Sequence, residues 1–282
     1  MPAGVCGPEA SLAGTRYAND RYSPLVAFQH ILTERDGPVG VVTMNRPNVL
    51  NALSPDHVAE ISQAIREFEA NPDVRAVVLT GGPKVFAAGA DIADMAERTP
   101  LEQLSRDQTG RWAAITALTK PLIAAVNGYA LGGGCEVALM CDLIVAGDSA
   151  RFGQPEINLG IIAGAGGTQR WPRTAGKYVA MEINLSGEFI TAQRAYQLSL
   201  VNKVVPAELT ITVARRWAKK LAAQAPIALR LAKESVNAAL ETPLQQGLAV
   251  ERRNFYFLFA TDDQKEGMRA FLEKRRPDFR GN

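Results

Sequence analysis

Apolar residues recur at two spacings along the chain. Short runs rich in apolar and β-branched residues read as strands: Ile31 to Glu34, Gly40 to Met44, Val74 to Thr80, Leu122 to Val126, Leu143 to Ala146 and Val201 to Val205. The first two flank a turn at Asp36-Gly37-Pro38, and Val74 to Thr80 is of the kind buried on both faces of a sheet. Ala150 to Gly153 forms a further extended piece. Between these runs the spacing turns helical. Ser54 as N-cap and Pro55 at the first position open a helix whose buried stripe is Val58, Ile61, Ile65 and Phe68, and Asn71-Pro72 stops it. A helix from about Leu101 to Leu118 precedes the run at Leu122. Further helices start at Glu136, in the cluster Gly164 to Arg170, and behind the cap Thr191.

From Pro206 onward the pattern is helical throughout. Leu209, Val213, Trp217 and Leu221 form one stripe, a second helix spans Pro226 to Leu240, and Thr261-Asp262-Asp263-Gln264 is a capping box for the last helix, which carries Met268, Phe271 and Leu272. Short strand, turn, short strand and helix thus return at irregular intervals, which predicts an α/β fold and disfavours a regular solenoid. The division that follows is a flexible leader over residues 1–24, an α/β body over 25–206 and an all-helical region over 207–282. Phe255, Phe257 and Phe259 mark that last region for packing against the body or another subunit.

Composition narrows the function classes. The chain has 282 residues, 47% hydrophobic and 21% charged with net charge +2, an ordinary globular balance without support for a nucleic-acid or membrane-surface partner. Cys6, Cys135 and Cys141 show no paired metal spacing and read as reduced thiols, and two histidines are too few for a histidine metal site. No apolar run reaches spanning length. The leader has no signal-peptide core, and its Glu9 and Asp20 count against a transit peptide. A cytoplasmic location is expected, with the mitochondrial matrix as the alternative.

The chemistry centres on Val126-Asn-Gly-Tyr-Ala-Leu-Gly-Gly-Gly-Cys-Glu136. A glycine turn feeding a helix start leaves unpaired backbone N–H groups on one spot and lets a ligand approach the backbone. The alternative is a tight packing turn followed by a surface glutamate. Two more loops, Ala88-Gly-Ala-Asp91 and Gln154-Pro-Glu156, follow strands in the same way. Backbone donors from different loops would form an oxyanion hole, and two carboxylates flanking one water would divide into acid and base because close carboxylates repel. This equipment suits adding water across a double bond conjugated to a carbonyl. The competing use of paired carboxylates is metal binding, for which Asp91 and Asp142 are the only further ligands on offer.

Phe86-Ala-Ala-Gly-Ala-Asp91, Ala125 to Glu136, Phe152-Gly-Gln-Pro-Glu156 and Gly164-Ala-Gly-Gly-Thr-Gln-Arg170 resemble, in order and spacing, the motifs of the enoyl-CoA hydratase/isomerase (crotonase) superfamily, and the likeness extends from about Leu25 to Arg280. The resemblance implies a superhelix of repeated ββα units, a C-terminal helical region supporting trimers paired into hexamers, and an acyl-CoA thioester as substrate without a separate cofactor or metal. It implies that the N–H groups of Ala90 and Gly133 hold the thioester carbonyl, that Glu136 activates water and that Glu156 protonates C2. The CoA portion would lie along Ala88, Ala90, Asp91, Ile92 and Ala93, with Lys274 near the phosphates and Phe255 also in contact.

Isomerases, dehalogenases and decarboxylases of the superfamily generally lack one or both glutamates, so this chain resembles the 2-trans-enoyl-CoA hydratases of fatty-acid β-oxidation most. Isomerisation on the same scaffold is the alternative activity. The chain departs from the pattern at Ala163, where proline is common, which bears on acyl length. It also lacks, in Asn48-Val49-Leu50, a lysine that some relatives place near the phosphates. RNA binding through Arg215-Arg-Trp-Ala-Lys-Lys220 is the reading from another class, and a helical spread of these charges on a solvated face disfavours it.

Overall fold

Asp36-Gly37-Pro38 reverses the chain, and β1 (Ile31–Asp36) and β2 (Val39–Met44) pair antiparallel across it, with Asp36 opposite Val39. The structure is a computed structural model describing residues 28–105 and 108–282; the leader expected over 1–24 lies outside the described residues. From β2 the sheet grows in parallel. Strands β3 (Ala76–Thr80), β4 (Leu122–Val126), β6 (Leu143–Gly147) and β9 (Lys203–Val205) add in the order β1-β2-β3-β4-β6-β9. Every residue of β3 and β4 is buried, as the side chains of a doubly covered parallel strand must be.

After each long strand the chain crosses to a second stack before returning through a helix. Leu53 bridges to Ala90 ahead of α1 (Pro55–Ala70). Ala87 bridges to Ala130 ahead of α2 (Ile92–Met95), α3 (Pro100–Ser105) and α4 (Gln108–Thr116). The next turn supplies β5 (Tyr129–Leu131) and α5 (Gly133–Met140), and the one after it β7 (Arg151–Gly153), which pairs parallel with β5. Helices α6 (Gly167–Ala175) and α7 (Lys177–Ser186) follow. Then β8 (Phe189–Thr191) closes the small sheet antiparallel to β7, and α8 (Ala192–Gln197) leads to β9. Same-sense crossovers into neighbouring parallel strands wind these ββα units into a superhelix.

Two cores result. Val42, Val77, Leu79, Leu122, Ala124 and Val126 pack with the α1 stripe and with Phe86, Phe152 and Trp171, all three fully buried. Truncating one of those aromatics to alanine would cost about 3–5 kcal/mol. On the opposite face Val41, Val78, Ile123 and Val145 meet α9 (Thr210–Ala222). Here the expected stripe is displaced by one residue. Thr210, Ala214, Ala218 and Ala222 face the sheet, whereas Val213, Trp217 and Leu221 are half-buried and Leu209 is exposed. Small side chains let the helix axis approach the flat valine surface, and the large ones pack along its flanks.

Caps fall where the sequence places them. Ser54, Thr191 and Thr261 accept the N–H of His57, Arg194 and Gln264. Other elements differ. The region expected as one helix from Leu101 to Leu118 is helical as α3 and α4, and β5 separates Gly128 from the glycine turn, so α5 begins at Gly133 and Glu136 lies in its first turn. Beyond α9, the helices α10 (Pro226–Glu241), α11 (Leu244–Leu258) and α12 (Asp262–Leu272) are anchored by polar ties: Lys233 Nζ donates to Asp142 Oδ2 at 2.7 Å and to Lys120 O at 3.1 Å. Arg280 and Gly281 donate their N–H groups to the Asp263 carboxylate. Phe255, Phe257, Phe259, Phe271 and Leu272 stay exposed. Half of the basic stretch on α9 is ion-paired: Arg215 forms a two-pronged ion pair with Glu34, and Lys219 pairs with Asp36 at 2.6 Å.

Candidate active site

Three chain segments meet at the ends of the parallel strands. The first is the loop after β3, held by Asn51, a buried residue in the left-handed region (φ 57°). Its Nδ2 lies 3.0–3.1 Å from the carbonyls of Gly81, Val85 and Phe86, while its Oδ1 accepts the Arg46 N–H at 2.8 Å. Phe86 and Ala87 then donate to Tyr129 O, and Gly89 O accepts from Leu53, which fixes the peptide that ends in the Ala90 N–H.

The second segment is Gly132-Gly133-Gly134. Gly132 has φ +51°, and a Cβ there would stand 3.1 Å from Glu156 Oε1. A Cβ on Gly134 would lie 2.2 Å from Ala87 O, so glycine alone permits the contact between turn and loop. Gly132 N–H is taken by Gly153 O, at 2.9 Å. Among the described residues, neither the Gly133 nor the Ala90 N–H has an acceptor. The two lie close: a Cβ built on Gly133 would be 3.8 Å from Ala90 N. Both residues remain partly exposed while Gly89, Gly132 and Gly134 are buried. Two adjacent, unsatisfied, accessible donors at a helix start form a receptor for a developing negative charge on oxygen.

The third segment supplies and surrounds the carboxylates. Glu136 is 2% exposed, and its Oε1 accepts two N–H bonds of 2.7 Å, from Ala165 and Gly167. Burial raises its pKa; the two N–H bonds and the positive charge of Arg170 oppose that rise by favouring the ionised form. Glu156 sits in a 3₁₀ turn, Pro155–Leu159, without such a clamp. Burial first, and the charge of Glu136 in addition, push it up to about 7, against the pull of its own backbone N–H. Gln154, 1% exposed, stands between the two elements. With its amide nitrogen turned to the acceptors, the orientation that satisfies both ends, it donates to Glu156 Oε1 at 3.0 Å and Gly132 O at 3.3 Å. The neighbouring Cys135 thiol is fully buried and burial pushes its pKa up, so it is inert packing. Among the described residues, no group of three His, Cys, Asp or Glu could hold a metal ion.

One carboxylate clamped by two N–H donors and one poised to carry a proton therefore lie beside a two-donor oxygen site. Residues 34–282 match the enoyl-CoA hydratase/isomerase family pattern. The chain belongs to the enoyl-CoA hydratase/isomerase family. It is 51% identical over 245 residues to the probable mitochondrial enoyl-CoA hydratase of Dictyostelium discoideum, covering 87% of this chain and 88% of that protein. It is 48% identical over 257 residues to the 2,3-dehydroadipyl-CoA hydratase of Escherichia coli K12, covering 90% and 100%. The crystal structure of enoyl-CoA hydratase subunit I from Geobacillus kaustophilus HTA426 superposes with a TM-score of 0.89 at 50% identity, covering 90% and 99%.

Within this family member, Ala90, Gly133, Glu136 and Glu156 come together in one chain. The residues expected at the CoA portion lie on several elements. Ala88 is fixed by its N–H to Leu50 O, Asp91 Oδ2 lies 3.5 Å from Arg46 Nη2, and Ile92 and Ala93 are exposed at the start of α2. Lys274 follows α12 on an exposed left-handed residue, and the Phe255 ring packs on Tyr256 and Phe259. Among the described residues, no hydrogen bond or ion pair joins Lys274 to the 88–93 loop. Three polar residues escape the motif reading: Asn51, Gln154 and Arg170. Asn51 and Arg170 bond backbone carbonyls, Gln154 bonds Gly132 O and the Glu156 carboxylate, and only Gln154 and Arg170 lie inside a motif that could have flagged them.

Proposed function

We propose that the chain is an enoyl-CoA hydratase, adding water across the 2-trans double bond of an enoyl-CoA thioester to give a 3-hydroxyacyl-CoA, in β-oxidation or a related degradative route. The observation carrying this reading is the unequal pair of glutamates beside the free N–H groups of Ala90 and Gly133. The thioester oxygen accepts from both N–H groups, and their stabilisation is greatest when that oxygen becomes enolate-like. Oε1 of Glu136 is occupied, so Oε2 takes the proton of the water that attacks C3. Glu156, raised toward neutrality, delivers a proton to C2. Hydroxyl adds to C3 and hydrogen to C2, and the proton gained by Glu136 returns to Glu156 before the next turnover.

The presence of both carboxylates favours hydration over isomerisation, which needs only one group to shuttle a proton. The exposed aromatic rows of α11 and α12 fit a trimer-based oligomer in which these helices meet a neighbouring subunit, and unbridged Cys135 and Cys141 fit a reducing compartment such as the cytoplasm. The test is loss of conjugated-enoyl absorbance on a panel of enoyl-CoA thioesters of rising chain length. Turnover on at least one length is expected; none on any would overturn the reading.

A further inference from the structure

Both hydrogen bonds to Glu136 come from one short loop, Gly164 to Gly167, and they must converge on a single oxygen. The Ala165 and Gly167 N–H groups point the same way only because Gly166 between them adopts φ +110°. Glycine tolerates this conformation without enforcing it. What brackets the loop is Arg170, one turn along α6. Its backbone N–H donates to Gly166 O at 2.8 Å, and its side chain folds back so that Nη1 donates to Ala165 O at 3.3 Å. The guanidinium fills the volume a side chain on residue 166 would need, lying 2.0 Å from the position of a Cβ there. Among the described residues Arg170 makes no ion pair, and its charge acts on Glu136.

We propose that Arg170 is a positioning residue for the reaction, locking the Ala165–Gly167 clamp so that one oxygen of Glu136 is held and the other is presented to water. The proposal rests on the reading of Glu136 as the group that activates water. Arg170 closes the peptide units on either side of Gly166 and places a positive charge near the carboxylate that must be ionised to act. The groups facing Glu136 are Arg170 from α6, Glu156 from the 3₁₀ turn and the neutral Cys135 on α5, so removing Arg170 removes the one positive charge. Loss of that charge raises the pKa of Glu136, and the acid limb of the kcat profile, below which Glu136 is protonated, moves to higher pH. The basic limb, set by Glu156, should stay.

The experiment compares pH profiles of the full-length enzyme with Arg170→Met, Arg170→Gln and Arg170→Lys, alone and with Glu136→Gln. Arg170→Met should move the acid limb up by roughly half to one pH unit and lower the plateau several-fold. Arg170→Gln retains a donor for Ala165 O, so it guards against misfolding of the Met variant; it should show the same limb shift with a smaller plateau loss. Arg170→Lys should return the limb to its original place. On the Glu136→Gln background, replacing Arg170 should add little, because the two act as a unit. A uniform loss at every pH with no limb shift in either neutral variant, or losses that multiply with Glu136→Gln, would overturn the positioning role. Full activity in Glu136→Gln alone would instead overturn the assignment of Glu136 itself.

Discussion

The three glycines of the turn answer differently to a single methyl group, and Gly133→Ala separates catalysis from folding. At Gly134 an added Cβ would lie 2.2 Å from Ala87 O, and at Gly132 the backbone has φ +51°, so alanine at either position strains the fold. At Gly133 the nearest atoms to a Cβ are Leu53 Cδ1 at 3.4 Å, Ala90 N at 3.8 Å and Gly89 C at 4.0 Å, all ordinary contacts, and the backbone is not left-handed. Gly133→Ala should therefore fold, with stability unchanged or raised by about 0.4–1 kcal/mol through the restricted unfolded chain. The methyl leaves the Gly133 N–H in place but stands beside it, crowding the approach of a substrate oxygen that must come within about 2.7–3.1 Å of both donors. Where that crowding pushes the oxygen off one donor, the cost is roughly 3–4 kcal/mol, a fall in turnover of about 100- to 1,000-fold. Thermal unfolding and hydration kinetics on the same preparation decide the matter. An alanine variant within a few-fold of the parent rate would refute the crowding, and a large drop in its melting temperature would refute the steric argument. Replacing the Gly133 amide by an ester removes the N–H itself, and an ester variant within a few-fold of the parent rate would refute the oxyanion role of this turn.

Three further outcomes follow from the same geometry. Because Glu156 is raised from 4.5 to about 7, it holds its proton below that pH, and hydration should decline as pH rises through the neutral range. A raised carboxylate is also a stability liability above its unfolded value, so Glu156→Gln should gain stability relative to the parent at pH 8 but not at pH 4, read by denaturant titration. Lys274→Ala should raise KM for the full CoA ester more than it lowers kcat and matter little on a pantetheine thioester without the distant phosphates; equal losses on both would remove Lys274 from the CoA site. Light scattering at micromolar concentration should find a trimer or a pair of trimers, and a monomer would leave the exposed aromatics of α11 and α12 unexplained.

What the sequence made legible was governed by near neighbours. The hairpin at Asp36-Gly37-Pro38, the Ser54 and Thr191 caps and the buried runs of β3 and β4 depend on residues within a few positions of one another. The four candidate positions, Ala90, Gly133, Glu136 and Glu156, lie in contiguous motif loops that the sequence displays directly. Folding decided the rest. β5 is only three residues long and exists because it pairs with β7, Tyr129 lying opposite Arg151, some 20 residues away in the chain. The buried stripe of α9 was misplaced by one residue because apolar size suggested Val213 and Trp217, whereas the sheet surface admits Ala214 and Ala218. Asn51 carries no local signal, since its bonds run to carbonyls whose positions only the tertiary structure defines; Arg170 lies inside the Gly164 to Arg170 motif, but its bond to Ala165 O depends on the fold-back of its side chain.

The central claim is that Glu136 and Glu156 act together on one water. Its most direct test is the loss of enoyl absorbance measured for Glu136→Gln, Glu156→Gln and the double variant. Each single replacement should lower hydration by about 100- to 10,000-fold while CoA-ester binding stays near that of the parent. The double variant should be only slightly slower than the singles, because the pair fails as a unit. Near-full activity in either single variant, or losses that multiply in the double, would contradict the account.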